Sequence, residues 1–354
     1  MSETMRAVTL KNGEIALREI PRPAPGPGQI LVRTLACAIC ASDHHYMDHP
    51  EVARVDRSGM RVHAPEQDVT MGHEFCAELV EYGPDTRKQW PRGTRVTSVP
   101  ALFVDGGMRI IGMAPDAPGG FGEYFLLSEG LARPVPDGLP PQRLALTDAM
   151  AVGWYYTGLG HTGNTVPLVI GLGAIGQSII AALEHRGAAP IVAADYNPAR
   201  RELATTLGAD VIIDPARHQT FAEWRRTAWG APDEVHDRIA LTGLPSCTVY
   251  ECTGAEGVLA DIVDNCPIGT RVLSAGGADR DTIASATAHL KGLNIQFGGG
   301  PMIEHWYETL DLVIAGALDP TPLIGETVGL DDLPAAFERA RTTDAPVRIV
   351  YTAD

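Results

Sequence analysis

A glycine-rich turn between an apolar run and an amphipathic stretch is the feature that most restricts the fold of this chain. The run Val166–Ile170 leads into Gly171-Leu-Gly-Ala-Ile-Gly176, after which Ile175, Ile179 and Leu183 recur at helical spacing. Glycines placed this way permit a tight turn, a close approach of the backbone to a ligand and close packing of helix on strand. The pattern therefore predicts a strand, a turn and a helix whose free N–H groups favour an anion such as a pyrophosphate.

Further apolar runs follow at short intervals, and helical patterns separate most of them. The six runs are Val166–Ile170, Pro190–Asp195, Asp210–Ile213, Cys247–Glu251, Arg271–Ala275 and Asn294–Phe297. Short apolar strands that alternate with helices are typical of a parallel, doubly wound α/β sheet. We therefore predict a Rossmann-type dinucleotide-binding domain over residues 151–297.

The segments on either side of this domain have a different pattern of apolar and turn residues. Residues 1–150 contain short apolar runs broken by Pro and Gly, which predict a β-rich domain with tight turns. After Gly298-Gly-Gly300, two helical patterns and a last apolar run, Val347–Tyr351, complete the chain. We expect residues 298–354 to return to the first domain.

Size and charge exclude several classes of function. The 354 residues suffice for two domains, and 45% hydrophobic with 20% charged residues is ordinary for a soluble globular protein. The formal net charge of −16 argues against a nucleic-acid partner and against lasting association with an anionic membrane, because phosphate binding needs clustered Lys and Arg. The sequence has no apolar run of about 18 residues and no signal-peptide pattern, so we expect a cytoplasmic location.

The residue that ends the second predicted strand indicates which dinucleotide is bound. Asp195 is placed to accept hydrogen bonds from both hydroxyls of an adenosine ribose, and its charge would repel a 2′-phosphate. NAD is therefore favoured over NADP. Arg200 could instead favour NADP, because an arginine at this position can hold a 2′-phosphate. We interpret its side chain as solvated or stacked on adenine. The candidate dinucleotide-binding residues are Gly171, Gly173, Ile175, Gly176, Asp195 and Arg200.

A second group of residues, nearer the N-terminus, indicates a metal. Cys40-Ala-Ser-Asp-His-His45 and Gly72-His73-Glu74 bring a thiolate, carboxylates and imidazoles into one segment. These are the donors that zinc prefers in proteins. The six cysteines show no disulfide-framework or tetrathiolate spacing. A metal site followed by a dinucleotide turn predicts metal-assisted hydride transfer.

At this point the chain resembles a known family, the zinc-dependent medium-chain alcohol and polyol dehydrogenases, over essentially its full length. The similar motifs are Pro25–Arg33, Ala36–Asp43, Gly72–Glu74 and Gly119–Tyr124. The resemblance implies an α/β architecture in which a GroES-like β-rich catalytic domain is interrupted by the Rossmann domain, with the active site in the cleft between them. A homodimer or homotetramer is also expected.

The resemblance implies a ligand set for one catalytic zinc. Cys40, His73 and Asp148 would bind the ion and leave an open position for water or substrate, while Glu74 would alternate as a ligand or support one. Asp148 has an alternative interpretation, because Asp is also a common helix N-cap. Many members of the family carry a second, structural zinc on four cysteines. Residues 98–120 contain no cysteine, so one zinc per chain is expected.

Two further residues match the family's proton relay. The path would run from the alcohol to the Ser42 hydroxyl, then through a ribose hydroxyl of the cofactor to His45 and solvent, and imidazole suits this role because it titrates near neutral pH. A surface histidine is the alternative for His45. The polar segment 49–70, with Arg54 and Arg57, either favours a polar or acidic substrate or is a solvated loop.

The function expected from these observations is hydride transfer between NAD and a primary or secondary alcohol, or the matching aldehyde or ketone. Two alternatives stay open at this point. A zinc-free quinone or enoyl reductase shares the scaffold but does not need Cys40, His73 and Asp148 together. A non-catalytic NAD-binding or sensor protein is the other, because a fold does not imply a function.

Overall fold

The computed structural model describes residues 3–49, 58–104, 107–160, 163–230, 246–277 and 280–353. Arg54 and Arg57 of the polar segment lie outside the described residues. The chain forms two compact units, one made of Met1–Asp148 with Asp319–Asp354 and the other of Ala149–Leu318. We refer to them as the first and the second unit.

The first unit begins with short strands and few helices. Its elements up to the boundary are β1 (Thr4–Lys11), β2 (Glu14–Pro21), β3 (Gln29–Ala38), α1 (Ala41–Asp48), β4 (Val69–Thr70), β5 (Glu74–Tyr82), β6 (Arg95–Ser98), β7 (Ala101–Val104), β8 (Gly107–Ile110), β9 (Tyr124–Ser128), β10 (Ala132–Pro134) and α2 (Pro141–Ala145). Strands β2, β1 and β4 form one sheet in that order, and β7 pairs with β8. The predicted β-rich character of this part is confirmed.

The second unit alternates strands with helices. After α3 (Thr147–Gly160), whose first residues belong to the first unit, come β11 (Thr165–Ile170), α4 (Ala174–His185), β12 (Val192–Ala194), α5 (Pro198–Thr206), β13 (Val211–Ile213), α6 (Thr220–Trp229), β14 (Ser246–Glu251), α7 (Val258–Asn265), β15 (Arg271–Ser274), α8 (Ser285–Leu290), β16 (Asn294–Phe297) and α9 (Ile303–Ala315). The six strands are parallel in the order β13-β12-β11-β14-β15-β16. All six strands predicted from the apolar runs are present.

The chain then returns to the first unit. A short 3₁₀ turn (Thr321–Leu323) precedes β17 (Ile324–Val328), α10 (Leu333–Ala340) and β18 (Arg348–Thr352). Strand β18 pairs antiparallel with β3 and parallel with β17, giving the order β10-β6-β5-β3-β18-β17 with β9 also on β3. The C-terminal strand therefore lies next to β3, directly behind the Cys40 motif.

The position of this return differs from the predicted boundary at residue 298. The second unit continues to Leu318, because α9 packs on α3 within it. Trp154 Nε1 donates to Glu308 Oε2 at 3.1 Å, and the rings of Tyr155 and His305 lie 5.2 Å apart. The division therefore falls at Asp319 rather than at residue 298, and the residues from Asp319 onward belong to the first unit.

The two units have separate cores. Phe75, Phe121 and Phe125 are buried in the first, and Val169, Ile179 and Leu273 in the second. In β11 five of six residues are buried, as expected for a strand covered on both faces of a parallel sheet. Among the residues that the structure describes, no helix is both long and apolar enough to cross a bilayer.

Candidate functional site

Two adjacent antiparallel strands bring a thiol, an imidazole and a carboxylate together in the first unit. The pairing of β3 with β5 sets Ala38 opposite Glu74, so Cys40, which caps the N-terminus of α1, comes close to His73 and Glu74. One donor atom from each of the three lies within 4.8 Å of the others. We call these three residues the donor cluster.

The turn before His73 depends on a glycine. Gly72 has a φ of +97°, which L side chains rarely adopt, and a Cβ there would lie 2.7 Å from Cys37 Sγ and 2.9 Å from the Phe121 ring. Any other residue would displace the backbone that carries His73. The positive φ and the close contacts at this position therefore explain why the Gly72-His73-Glu74 motif begins with glycine.

Asp43 holds His73 in one orientation. This carboxylate is fully buried, its Oδ2 accepts from the Cys40 N–H at 2.9 Å, and its Oδ1 lies 3.2 Å from His73 Nδ1, at an angle short of a regular hydrogen bond. The other ring nitrogen, Nε2, lies 3.1 Å from Ser42 Oγ. A proton on Nδ1 facing Asp43 leaves the Nε2 lone pair for the Ser42 hydroxyl or a metal, the tautomer that metal-binding histidines adopt.

Arg348, on β18, is a member of this site that the sequence did not indicate. Its Nη2 donates to Glu74 Oε1 at 2.8 Å and lies 3.8 Å from Cys40 Sγ, and the Arg348 and Glu74 side chains are only 5% and 1% exposed. The one available signal was a lone basic residue within the apolar run Val347–Tyr351. A buried guanidinium beside two potential anions compensates part of their charge.

These neighbours shift the pKa of each cluster member. Burial opposes ionisation of Cys40, but the charge of Arg348 and the contact with His73 outweigh it and bring the thiol pKa down to about 6. Burial also opposes protonation of His73, yet the Asp43 carboxylate holds the pKa of His73 well above its usual range. For Glu74, burial dominates over Arg348 and raises the pKa to about 8. Without a metal, these shifts favour a thiolate at Cys40 and protonation of both His73 and Glu74.

The cluster fits a zinc ion. Thiolate, imidazole and carboxylate are the donor types of catalytic zinc sites, and the histidine is supported by a carboxylate as such ligands usually are. Glu74 Oε2 is buried and makes no hydrogen bond. An unpartnered buried carboxylate oxygen next to a thiolate is costly unless a cation satisfies it.

The other predicted residues of the first unit are placed as follows. Ser42 and His45 lie one turn apart on α1, both half-buried, and the centroid of the His45 ring lies 4.7 Å from that of His49. Asp148 lies in the first turn of α3. Within the described residues, the donor cluster does not include Asp148. Its assignment as a zinc ligand stays a prediction.

The glycine turn of the second unit has the predicted geometry. Gly171 has a φ of +89°, and a Cβ there would lie 2.7 Å from the Thr253 side chain and 2.9 Å from the Cys252 backbone. A Cβ on Gly176 would lie 2.0 Å from the Gly171 carbonyl oxygen, whereas the space around Gly173 is open to 4 Å. Gly173 caps α4, so a ligand can approach free N–H groups at the start of that helix.

Asp195 follows β12 and reaches the glycine turn. Its Oδ2 accepts from the Leu172 N–H at 2.6 Å and its Oδ1 from the Asn197 N–H at 2.7 Å. Arg200 is half-buried, and its carbonyl accepts from Gln177 Nε2 at 2.8 Å. Ile175 packs on the core of the second unit, so its backbone is the part left to face a ligand. These residues fit an adenosine diphosphate moiety.

Two family models match the chain, and they divide it much as the structure does. Residues 26–137 match the alcohol dehydrogenase GroES-like domain, and residues 174–315 match the zinc-binding dehydrogenase domain.

Two relatives named as dehydrogenases match most of the chain. The L-threonine 3-dehydrogenase of Rhizobium rhizogenes is 28% identical over 369 residues, which cover 97% of each chain. The (R,R)-butanediol dehydrogenase of Bacillus subtilis is 32% identical over 244 residues, covering 66% of this chain and 68% of that one.

Solved structures share the fold. The 2R,3R-butanediol dehydrogenase of Bacillus subtilis superposes with a TM-score of 0.79 at 26% identity, covering 99% of this chain and all of that one (100%). A protein of Sinorhizobium meliloti 1021, described as a zinc-binding dehydrogenase bound to NADP, superposes with a TM-score of 0.81 at 24% identity, with coverage of 99% and 100%.

Proposed function

Because this chain belongs to the zinc-dependent medium-chain dehydrogenase family, we propose that it transfers a hydride between NAD and a primary or secondary alcohol, or the matching carbonyl compound. The observation that carries the proposal is the donor cluster of Cys40, His73 and Glu74, supported by Asp43. A zinc-free quinone or enoyl reductase has no need for such a cluster. A non-catalytic NAD-binding protein has no need for it either.

We propose one zinc per chain, held by Cys40 and His73 with the carboxylates of Asp148 and Glu74. When bound, the ion would act as a Lewis acid that lowers the pKa of a coordinated hydroxyl and polarises a carbonyl. Arg348 opposes permanent coordination by Glu74, because it already pairs with Oε1 at 2.8 Å. That competition supports Glu74 as an alternating ligand, with Asp148 completing the set and one position open to substrate.

The proton of the substrate hydroxyl needs a route out of a buried site. Ser42 Oγ lies 3.1 Å from His73 Nε2, so this hydroxyl is beside the donor cluster and able to accept a proton there. His45, one turn further along α1, is half-buried and able to pass a proton to solvent. We propose these two residues as the inner and outer members of the relay.

For the cofactor we propose NAD rather than NADP. The Asp195 carboxylate is fixed by Leu172 and Asn197 at the end of β12, where its charge opposes a 2′-phosphate. The relative from Sinorhizobium meliloti is described as bound to NADP, so this preference needs its own measurement.

The names of the relatives support a proposal for the substrate class. Both L-threonine and butanediol carry a secondary alcohol next to a second polar group, an amine in one and a hydroxyl in the other. We therefore propose a small secondary alcohol with a polar group on the neighbouring carbon, with L-threonine as a specific candidate.

We also propose that the chain forms a homodimer or homotetramer. Strand β16 is an edge of the parallel sheet, and Phe297 on it and Leu290 before it are 69% and 81% exposed. Exposed apolar residues beside an open sheet edge favour pairing with another chain. Light scattering on the wild type and on Phe297→Asp measures the assembly, and the variant should dissociate to monomers.

A direct test of the proposed function combines metal analysis with an absorbance assay for NADH. The purified protein is assayed on L-threonine, 2,3-butanediol and simple alcohols, with and without a zinc chelator. We expect one zinc per chain, NADH formation that the chelator abolishes, and recovery on adding zinc. Turnover that survives complete removal of metal supports the zinc-free reductase, and the absence of any turnover supports the non-catalytic protein.

A further inference from the structure

Glu251 is a buried carboxylate at the point where the order of the parallel sheet reverses. It is the last residue of β14 and is 3% exposed. Strand β14 lies beside β11, while the chain runs from β11 outward to β12 and β13 on the other side. In sheets of this type, ligands bind at the carboxyl ends of the strands on either side of this reversal.

Neutral groups satisfy both oxygens of this carboxylate. Oε1 accepts from the Thr253 N–H at 2.7 Å, the Thr253 hydroxyl at 2.6 Å and the Gly254 N–H at 3.0 Å, and Oε2 accepts from the Ser274 hydroxyl at 3.1 Å. The two backbone N–H groups can only donate, and the two hydroxyls are placed to donate as well, so both oxygens of Glu251 serve as acceptors.

The negative charge of Glu251 lacks a cationic partner in the described part of the chain, where its hydrogen bonds come only from hydroxyl and backbone groups. Glu74, the buried carboxylate of the donor cluster, is instead paired with Arg348. A cavity of about 390 Å³ opens beside Glu251, and its other charged lining residues are Arg280 and Asp281. Two carboxylates against one guanidinium leave this cavity net negative.

Backbone contacts hold together the two loops that follow β14 and β15 beside Glu251. Ala275 and Gly276 donate their N–H groups to the Glu251 carbonyl at 2.8 and 3.0 Å. Gly254 has a φ of +62°, and a Cβ on Gly276 would lie 2.1 Å from the Gly254 nitrogen, so the two loops meet backbone to backbone. The backbone groups that bind the Glu251 carboxylate are therefore held in place.

The direction in which a bound dinucleotide runs brings its nicotinamide half to this side. Asp195, the proposed ribose acceptor, follows β12 on one side of β11, and the glycine turn that fits the pyrophosphate follows β11 itself. The remaining half must then extend over the ends of β14 and β15, where Glu251 lies. This step depends on the function proposed above.

We propose that Glu251 is a positioning residue that makes the second unit favour the oxidised cofactor over the reduced one. The nicotinamide ring carries a positive charge in NAD and is neutral in NADH, so a fixed, uncompensated carboxylate stabilises only the oxidised form. The residue also orders the two loops, but that effect acts on both forms alike.

The experiment measures dissociation constants for NAD and NADH by quenching of tryptophan fluorescence. Glu251→Gln is nearly isosteric, and its amide can accept from Thr253 and donate to Ser274. We expect the ratio of the NAD constant to the NADH constant to rise about tenfold in this variant, through weaker NAD binding. Glu129→Gln is the matched control, because Glu129 is a carboxylate of the first unit that is 4% exposed and accepts from the Arg87 N–H at 2.6 Å. It should leave the ratio unchanged.

A second variant covers the case in which Glu251→Gln fails to fold. Ala255 is exposed and lines the same cavity, so Ala255→Lys places a compensating cation near Glu251 without touching the buried bonds. It should shift the ratio in the same direction. Constants that change by equal factors for both forms, or do not change, overturn the proposal. Wild-type protein that binds neither form refutes the proposed function instead.

Discussion

Arg348 and Glu74 form a buried ion pair in which Nη2 donates to Oε1 at 2.8 Å, with side chains 5% and 1% exposed. The two residues come from the two separate segments of the first unit, and the pairing of β18 with β3 and of β3 with β5 brings them together. The pair sets the electrostatics of the donor cluster, because Arg348 also lies 3.8 Å from Cys40 Sγ.

Replacing Arg348 by Met should destabilise the metal-free protein strongly. The substitution keeps most of the side-chain volume but leaves Glu74 buried without its cation, which costs about 3–5 kcal/mol in the free energy of unfolding. The loss should be largest above about pH 8, the pKa of Glu74, and smaller below it, where Glu74 is protonated. Denaturant titration at two pH values measures both effects.

Two further variants separate the charge from the packing. Arg339→Met removes an arginine whose pair with Glu326 is 45% and 30% exposed, and should change the free energy of unfolding by at most about 1 kcal/mol. The double variant Arg348→Met/Glu74→Gln should recover part of the loss, because the Glu74 side chain no longer carries a charge, while the Cys40 thiolate still lacks its cation. Equal losses in Arg348→Met and Arg339→Met would contradict the buried-pair interpretation.

The strands of the second unit were predictable because each is an uninterrupted apolar run between turn residues. Asn294–Phe297 has the predicted bounds, while the second strand shortens to Val192–Ala194. Pro190 has no N–H to donate to a neighbouring strand, and the Ile191 N–H donates to the Asp210 side chain at 2.7 Å, so regular pairing starts only at Val192. The local pattern of apolar and turn residues decides where these strands form, and this pattern can be read directly from the sequence.

Arg348 was not predictable, for the opposite reason. A lone arginine in a terminal apolar strand is usually a surface residue, and only the long-range pairing of Val350 with Ala38 and Tyr351 with Cys37 buries it beside the donor cluster. The boundary at Asp319 was missed in the same way, because contacts of α9 with α3 decide it. Cys40 and His73 were predictable because each lies in a compact local motif.

The pKa of Cys40 predicts how zinc binding depends on pH. The thiol pKa is lowered from 9.0 to about 6, so the thiolate that zinc requires is present at neutral pH and is lost as the pH falls below about 6. Zinc affinity should therefore fall steeply below this pH, as protons compete for the sulfur. Competition with a chromophoric chelator between about pH 5 and about pH 8 measures it.

Cys40→Ser is the control for this dependence. A serine hydroxyl does not ionise in this range, so the variant should bind zinc weakly at every pH and lose the steep fall associated with Cys40. A wild-type affinity that stays constant from about pH 5 to about pH 7 contradicts the assignment of Cys40 as a ligand.

Zinc content decides the role of Asp148. If it is a ligand, Asp148→Ala should lose zinc under limiting metal, and so should His73→Ala, because a three-ligand site cannot lose one donor without a large drop in affinity. Thr147→Ala removes the neighbouring hydroxyl and should keep full occupancy. Full occupancy in Asp148→Ala refutes the ligand assignment and leaves the helix-capping role.

Substituting Asp195 tests the choice of NAD over NADP. Asp195→Asn keeps the shape and one acceptor but removes the charge that favours ribose hydroxyls and opposes a 2′-phosphate. Hydrogen bonds to charged groups contribute about 1.5–3 kcal/mol, so the ratio of kcat/KM for NAD to that for NADP should fall about tenfold or more. Initial rates with both cofactors measure it, and a wild-type preference for NADP contradicts the proposal.

The two members of the proposed proton relay on α1 should respond differently to substitution by Ala. Replacing His45 by Ala should slow alcohol oxidation most below neutral pH, where solution offers no strong base, and loss of a general base typically costs about 100-fold. Small basic buffers should partly rescue His45→Ala, because His45 is only half-buried and its place is open to solvent species.

Ser42→Ala should be more damaging and poorly rescued by buffer. Its hydroxyl lies 3.1 Å from His73 Nε2, beside the donor cluster, where a buffer base cannot take its place. Zinc content should be unchanged in both variants, which distinguishes relay from ligation. An unchanged pH–rate profile in His45→Ala would return His45 to an ordinary surface histidine and leave Ser42 as the sole member of the relay.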